Sequence, residues 1–222
     1  MAGAHIYAVT SDINLALEQE FNAWYNSEHV VELLAVPGFL AARRFQAIDG
    51  NPKYLAVYNL EQPDVLNTYA FQRIRPTHPD STHDCKRMWS FVTNWKRAAY
   101  EEQFPTEYAN EQADQARYMF LAAYDIDPAL DSEYEHWYRS EHRPAVCRVS
   151  GVMRVRNFRV NCEMLDHVLG DPPRCIALYD LANPQIVHSP DWLRCQQSPS
   201  TIRMQRFSKS SIRNFYLRIF PE

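Results

Sequence analysis

The chain has 222 residues, of which 46% are hydrophobic and 23% charged, a composition typical of globular proteins. Its formal net charge of −4 gives no reason to expect a nucleic acid or an anionic membrane as a partner. No apolar run is long enough to span a bilayer, and the first residues lack the basic and apolar regions of a signal peptide. The five cysteines form no CxxC pair, so we expect reduced thiols in a cytoplasmic protein.

An internal repeat is the strongest signal in the sequence. At a shift of 113 residues, 10 of the 18 positions from 12 to 29 are identical to their counterparts. About one identity would arise by chance from average composition. Each copy contains Trp-Tyr-x-x-Glu-His, at 24–29 and at 137–142. Later segments match at shifts of 121 and 116, which indicates a duplicated module with loops of different length.

The predicted elements have the same chain order in each copy. A strand rich in apolar and aromatic residues comes first. A helix follows, with Asn14 and Asp127 as its predicted N-caps. Breaks at Pro37-Gly38 and Ser150-Gly151 precede the second strand, and the turn Asp49-Gly50-Asn51-Pro52 leads into the third strand. A short polar helix and a long last strand complete each copy. The first and last strands are predicted at about 5–11 and 90–103, and at about 118–124 and 206–219.

This order predicts an α+β protein made of two tandem ferredoxin-like (βαββαβ) modules. The modules are expected at 1–108 and 117–222, joined by a polar linker at 109–116. A four-stranded antiparallel sheet with helices on one face leaves its other face apolar. Two such sheets can therefore pack face to face as a pseudo-dimeric α/β barrel. A single chain is then the expected minimal unit, and a homodimer of such chains is compatible with the sequence.

The helix at 21–29 and the order of the elements resemble the EthD-like branch of the dimeric α/β-barrel superfamily. The resemblance covers both halves, each equivalent to one subunit of the usual dimer. His142-Arg143-Pro144 fits the His-x-Pro common in this helix, whereas His29-Val30-Val31 departs from it. The resemblance implies a pocket between the sheet and the helices of a module. Members of the superfamily include cofactor-independent monooxygenases, muconolactone-type isomerases, polyketide cyclases, decarboxylases and dehydratases.

The predicted catalytic residues are His29, Tyr25 and Glu32. An imidazole titrates near neutral pH, so His29 is the expected general acid or base. Tyr25 and Glu32 lie four residues before it and three after it, which places them on one side of a helix. Glu32 is expected to orient the imidazole and favour its protonated form. Packing under a loop is the structural alternative for this histidine.

Five further residues are predicted to bind substrate: Arg43, Tyr58, Trp24, His78 and His83. Arg43 would clamp a substrate carboxylate. Tyr58 would donate a hydrogen bond to a substrate oxygen, and Trp24 would form a wall of the pocket. The competing structural interpretation of Arg43 is an ion pair with Glu28 that ties helix to sheet, as Arg156 would pair with Glu141 in the second copy.

The corresponding residues of the second copy are His142, Tyr138, Arg156 and Tyr179. Ala145 stands where the first copy has Glu32, and the second copy lacks counterparts of His78 and His83. The first copy is therefore expected to hold the better-formed pocket, while the second mainly completes the barrel.

The functional hypothesis is a cofactor-independent enzyme that abstracts and returns a proton on a small aromatic or cyclic acid. This chemistry belongs to lyases, dehydratases, decarboxylases and isomerases. No phosphate-cradling glycine loop or dinucleotide fingerprint occurs, so a small-molecule substrate and no cofactor are expected. A cofactor-free oxygenase and a non-catalytic small-molecule binding protein stay open as alternatives. No metal is predicted, although His29, Glu32, His78 and His83 have the side-chain types of a zinc or iron site.

Overall fold

A computed structural model describes residues 4–104 and 111–221 of the chain. Residues 109 and 110 of the predicted linker lie outside these ranges, and its remainder contains the 3₁₀ turn Ala113–Gln115. Within these ranges, no helix is both long and apolar enough to cross a bilayer.

Eight strands form the framework. They are β1 (His5–Ile13), β2 (Phe39–Asp49), β3 (Tyr54–Leu60), β4 (Val92–Glu102), β5 (Tyr118–Ile126), β6 (Val152–Val160), β7 (Cys175–Leu181) and β8 (Ser208–Phe220). They form one closed barrel in the order β1-β3-β2-β8-β5-β7-β6-β4. The expected fold class, two ferredoxin-like modules with separate sheets packed face to face, is therefore wrong. Alternating apolar residues identify strands but do not encode which sheet edges join, and closure leaves no edge unpaired.

Short helices connect the strands. They are α1 (Glu18–Trp24), α2 (Val30–Leu34), α3 (Tyr69–Gln72), α4 (His83–Trp89), α5 (Asp131–Trp137), α6 (Arg143–Cys147), α7 (Pro190–Gln196) and α8 (Pro199–Phe207). The predicted N-cap residues each cap the 3₁₀ turn that leads into a helix. The side chain of Asn14 accepts a hydrogen bond from the Ala16 amide, and that of Asp127 accepts one from the Ala129 amide.

The repeated Trp-Tyr-x-x-Glu-His motif coincides with a distortion of the helix. Tyr25–His29 and Tyr138–His142 are π-helical, and each lies between two α-helical segments. Such π-bulges are rare and occur frequently at functional sites. The same sequence therefore produces the same local backbone twice.

The chain divides into two compact units that are not continuous segments. The first comprises Met1–Glu101, Asn161–Pro172 and Ile219–Glu222, and the second comprises Glu102–Val160 and Pro173–Arg218. Each unit has its own apolar core. The domain boundaries expected from the sequence stay a prediction.

Glycine is required where β2 and β6 begin. Gly38 and Gly151 have φ angles of +94° and +90°. A Cβ at Gly38 would lie 2.3 Å from a methyl carbon of Val65, and one at Gly151 would lie 2.5 Å from Ile186. These turns set the start of the strands that pack beneath the motif helices.

Candidate functional site

The first unit contains a cavity of about 340 Å³ between its sheet and its helices, which we call the first pocket. Antiparallel pairing sets Tyr7 of β1 opposite Tyr58 of β3, and the hydroxyl of Tyr58 lies 2.9 Å from that of Tyr25. His29 is buried with its ring stacked on Trp24. The lining is formed by Tyr7, Val9, Tyr25, His29, Leu33, Tyr58, Phe71, Ile74, Arg75, Pro76, Trp89, Trp95 and Arg97.

The second unit contains the equivalent cavity, which we call the second pocket, of about 550 Å³. Phe120 of β5 lies opposite Tyr179 of β7, and the Tyr179 hydroxyl lies 3.3 Å from Nε2 of His142. Trp137 packs against the imidazole of His142. The lining is formed by Phe120, Ala122, Ala123, Tyr124, Ile126, Tyr134, Trp137, Tyr138, His142, Tyr179, Gln196, Thr201, Met204, Gln205, Ser208, Ile212 and Arg213.

Both motif histidines are neutral at physiological pH. Burial, and next the charge of Arg44, lower the pKa of His29 to about 3. Burial, and next the charge of Arg213, lower the pKa of His142 to about 4. Burial of an imidazole disfavours its charged form. The expectation of a protonated His29 is therefore wrong.

The sequence led us to expect the better-formed pocket in the first copy, but the second pocket is the larger one. The larger cavity lies beside His142, because two indole rings occupy part of the first pocket. Trp89 and Trp95 stack there with ring centroids 4.3 Å apart. At the shift of 116 residues that aligns the copies here, Gln205 replaces Trp89. A shorter and more flexible side chain leaves room for a ligand.

Neither predicted arginine clamp lies in its pocket. Arg44 lies with its guanidinium 3.7 Å from the ring centre of Tyr25, on the helix-covered face of β2. Because side chains alternate along a strand, Arg43 lies on the opposite face, with its guanidinium over Phe45. Arg156 is likewise buried away from His142, with a nitrogen 3.8 Å from the carboxylate of Asp180.

The predicted helix-to-sheet ion pairs do not form. Glu28 and Glu141 are exposed, and the carboxylate of Glu141 accepts a hydrogen bond from Ser200 at 2.6 Å. Their exposure separates these carboxylates from Arg43 and Arg156, which are both buried.

Glu32 does not contact His29. It lines a separate cavity together with Arg73 and Cys85. Burial, and next repulsion from Glu28, raise the pKa of its carboxyl, whereas Arg73 opposes the shift. The structure thus does not bring the predicted His29–Glu32 pair together.

His78 and His83 lie outside both pockets. His78 packs against Tyr69, and the side chain of His83 is 89% exposed at the start of α4. Among residues 4–104 and 111–221, no group of three or more His, Cys, Asp or Glu side chains is arranged to hold a metal ion. The suggested site of His29, Glu32, His78 and His83 is therefore not assembled.

Residues 4–116 match the family described as "Domain of unknown function (DUF4286)". The chain belongs to the DUF4286 family. No curated protein matches the chain. The family description assigns no activity, so a function can be proposed only from the geometry of the pockets.

Solved structures share the fold of this DUF4286 chain. An anthrone oxidase-like protein superposes with a TM-score of 0.67 at 10% identity, covering 97% of this chain and 90% of the other. A chlorite dismutase variant from Candidatus Nitrospira defluvii gives 0.62 at 11% identity, with 97% and 92% covered. A protein from Lactobacillus acidophilus NCFM, inferred to be a monooxygenase, gives 0.60 at 12%, with 97% and 94% covered. At 10–12% identity these likenesses show a shared fold, and they do not show the EthD-like branch.

Sequence reasoning missed the cationic residues that do line the pockets. They are Arg75 and Arg97 in the first pocket and Arg213 in the second. Arg97 lies opposite Val9 in the β1–β4 pairing, and Arg213 lies opposite Ala122 in the β5–β8 pairing. The repeat contained a signal for two of them, because Arg97 and Arg213 align at the shift of 116 residues.

Proposed function

We propose that this DUF4286 chain is a cofactor-independent oxygenase that acts on a planar aromatic small molecule in the second pocket. The observation that carries the proposal is the buried, neutral imidazole of His142 in an aromatic cavity of about 550 Å³. Its Nδ1 atom is buried without a hydrogen-bond partner among the described residues. A neutral imidazole has one unprotonated nitrogen and can accept a proton from a bound substrate.

The low pKa of His142 restricts the substrate. An imidazole whose pKa is about 4 is a weak base. The substrate must therefore lose its proton easily, as a carbon acid does when an aromatic ring system delocalises the resulting anion. The wall rings of Phe120, Tyr134 and Tyr138 suit such a planar molecule.

Two polar groups support an anionic oxygen on that substrate. Arg213 lines the cavity and is exposed, so it stands at the mouth. The Tyr179 hydroxyl stays protonated at neutral pH because burial raises its pKa. A cation and a hydroxyl donor beside the developing negative charge lower the barrier to ionisation.

An oxygenase reaction balances its electrons with O₂ alone and needs no further reductant. A ring CH₂ group that loses a proton to His142 gives an electron-rich carbanion able to reduce O₂. Conversion of CH₂ to C=O releases four electrons, and O₂ accepts all four by placing one oxygen atom in the product and one in water. The oxidase-like and monooxygenase neighbours favour this chemistry over the lyase and isomerase classes that the sequence suggested.

Two finer assignments accompany this proposal. The repeated motif helix, with His142-Arg143-Pro144 in the second copy, supports membership of the EthD-like branch. Among residues 4–104 and 111–221, which include all five cysteines, no disulfide forms, and this supports a reducing and cytoplasmic compartment.

Oxygen uptake with an anthrone, a tricyclic ketone with an acidic ring CH₂, tests the proposal. We expect His142→Ala to lower the rate of uptake by roughly 10²–10⁴-fold, the usual range for loss of a general base. His29→Ala is the matched control, because it removes the same motif residue from the other copy, and we expect less than a tenfold loss. Full uptake by His142→Ala would refute the assigned base. Exchange of the CH₂ protons with D₂O but no oxygen uptake would instead favour a lyase or isomerase.

A further inference from the structure

Two arginines in the first pocket have no acidic partner. Arg75 and Arg97 both line this pocket, and Arg97 is only 6% exposed. The Nε atom of each is buried without a hydrogen-bond partner. Among residues 4–104 and 111–221, no carboxylate lies within ion-pair distance of either guanidinium.

The two positive charges act on the same small volume. Burial, and next the charge of Arg97, lower the pKa of Arg75. Both guanidiniums oppose the rise that burial causes in the pKa of Tyr7. A buried charge such as that of Arg97 is unfavourable without a counter-ion, and an anion between the two guanidiniums would offset this cost and their mutual repulsion.

We propose that the first pocket is a binding site for a small aromatic monocarboxylate, whose carboxylate lies between Arg75 and Arg97. Guanidinium groups match the geometry of a carboxylate with two parallel hydrogen bonds. This site is separate from the oxygenase site proposed for the second pocket, and neither proposal depends on the other.

The walls of the first pocket select the aromatic part of the ligand. Tyr7, Phe71, Trp89 and Trp95 contribute rings to a cavity of about 340 Å³. A single aromatic ring needs less room than the ring system proposed for the second pocket, which agrees with the smaller size of this cavity. An inorganic anion would leave these apolar walls without a partner.

A segment of the second sequence copy holds Arg97 in place. Leu169 exchanges both backbone hydrogen bonds with Arg97, at 3.1 and 3.0 Å. The ammonium of Lys96 donates to the carbonyl of Asp171 at 2.8 Å, and Nε2 of His167 lies 2.8 Å from the side-chain oxygen of Asn67. These contacts fix the strand that contains Arg97 before any ligand binds, which lowers the entropic cost of binding.

The second pocket lacks this arrangement. At the shifts that align the copies, Gln196 replaces Arg75, and Arg213, the counterpart of Arg97, is exposed. A solvated single arginine has a much weaker need for a counter-ion than a buried arginine beside a half-buried one. The carboxylate site is therefore expected in the first pocket alone.

Isothermal titration with benzoate tests the proposal, with benzamide as the neutral molecule of the same shape. We expect one benzoate to bind per chain, benzamide to bind at least tenfold more weakly, and inorganic phosphate to bind more weakly still. Arg97→Gln and Arg75→Gln should each weaken benzoate binding by about 10–100-fold, the range for a lost hydrogen bond to a charged group.

Two matched variants separate this site from general charge effects. Arg73→Gln removes an exposed charge two residues from Arg75, and Arg213→Gln removes the pocket arginine of the other copy. Both should retain benzoate affinity within a factor of three. Arg75→Gln, at a half-buried position, keeps the test valid if Arg97→Gln fails to fold. The proposal is overturned if folded wild-type protein does not bind benzoate at millimolar concentrations, if benzamide or phosphate binds as tightly, or if Arg75→Gln leaves the affinity unchanged.

Discussion

The two pockets contain the same helix motif but differ in the residues opposite it. In the first, Trp89 and Trp95 fill space and Arg97 is buried. In the second, Gln205 leaves the cavity open and Arg213 is exposed. The motif helix was retained in both copies, whereas the last helix and strand of each copy diverged. A repeated motif therefore identifies two pockets of common origin, and the residues facing the motif decide what each can bind.

The strand tyrosines Tyr58 and Tyr179 also have different hydrogen-bond partners in the two pockets. In the first pocket the Tyr58 hydroxyl lies 2.9 Å from that of Tyr25. In the second, the Tyr179 hydroxyl lies 3.3 Å from Nε2 of His142. Only in the second pocket does the strand tyrosine lie within hydrogen-bonding distance of the motif histidine, and this orients the imidazole proposed as the base.

Among changes that exchange features between the two pockets, the largest expected effect comes from giving the second pocket the bulk of the first. Gln205→Trp introduces the residue that stands at the equivalent position of the first copy. We expect it to lower oxygen uptake by at least about 10²-fold, because displacing a substrate by an ångström near the base already costs that much. Gln205→Ala is the control for loss of the amide and should retain most of the activity. Normal uptake by folded Gln205→Trp would show that the reaction occurs elsewhere.

The reverse change opens the first pocket at the expense of stability. Trp89→Gln removes a ring that is 7% exposed and stacks on Trp95. We expect the free energy of unfolding, measured by urea denaturation, to fall by roughly 3–5 kcal/mol, the usual cost of deleting a buried large ring. A loss below about 1 kcal/mol would mean that this indole does not fill the cavity in solution.

The pH dependence of the rate distinguishes a buried histidine from an exposed one. The pKa of His142 is lowered to about 4, so the neutral base is fully present at higher pH. The rate of oxygen uptake should therefore be flat between pH 6 and 8 and fall about tenfold per unit as the pH drops below about 4. The same burial predicts a loss of stability as the pH falls below the unfolded value of about 6.5, because the unfolded imidazole binds the proton more tightly. A rate limb near pH 6.5 would indicate a solvated His142 and contradict the structure.

Local features of the fold could be predicted from the sequence. The N-cap residues Asn14 and Asp127 were recognisable because their side-chain oxygens satisfy free amides at a helix start. The closure of the barrel could not be predicted, because strand periodicity contains no information about partners at the sheet edges. The sequence indicated only that loop lengths differ between the copies, whereas segment 161–172 belongs to the first unit and pairs with Arg97.

The sequence likewise predicted only part of the candidate site. The motif pointed to His29, Tyr25, His142 and Tyr138, and all four line pockets. Helical spacing assumed 3.6 residues per turn, and the π-bulge changes the direction of the residues that follow, so Glu32 was assigned to the wrong cavity. Burial, which determines the charge of a histidine, depends on tertiary packing.

The smallest expected effect concerns Glu32. If it supported His29 as the helical spacing suggests, Glu32→Gln would shift the titration of His29 and change ligand affinity in the first pocket. In the structure its carboxyl faces Arg73 and Cys85 in a separate cavity, and burial and Glu28 raise its pKa. We therefore expect Glu32→Gln to change benzoate affinity and oxygen uptake by less than about twofold. We also expect it to change the free energy of unfolding by no more than about 0.5 kcal/mol, as for most partly exposed positions. Titration of the His29 ring followed by NMR is the decisive measurement: a pKa that stays near 3 in Glu32→Gln agrees with the structure, whereas a further fall would restore the carboxylate–histidine pair.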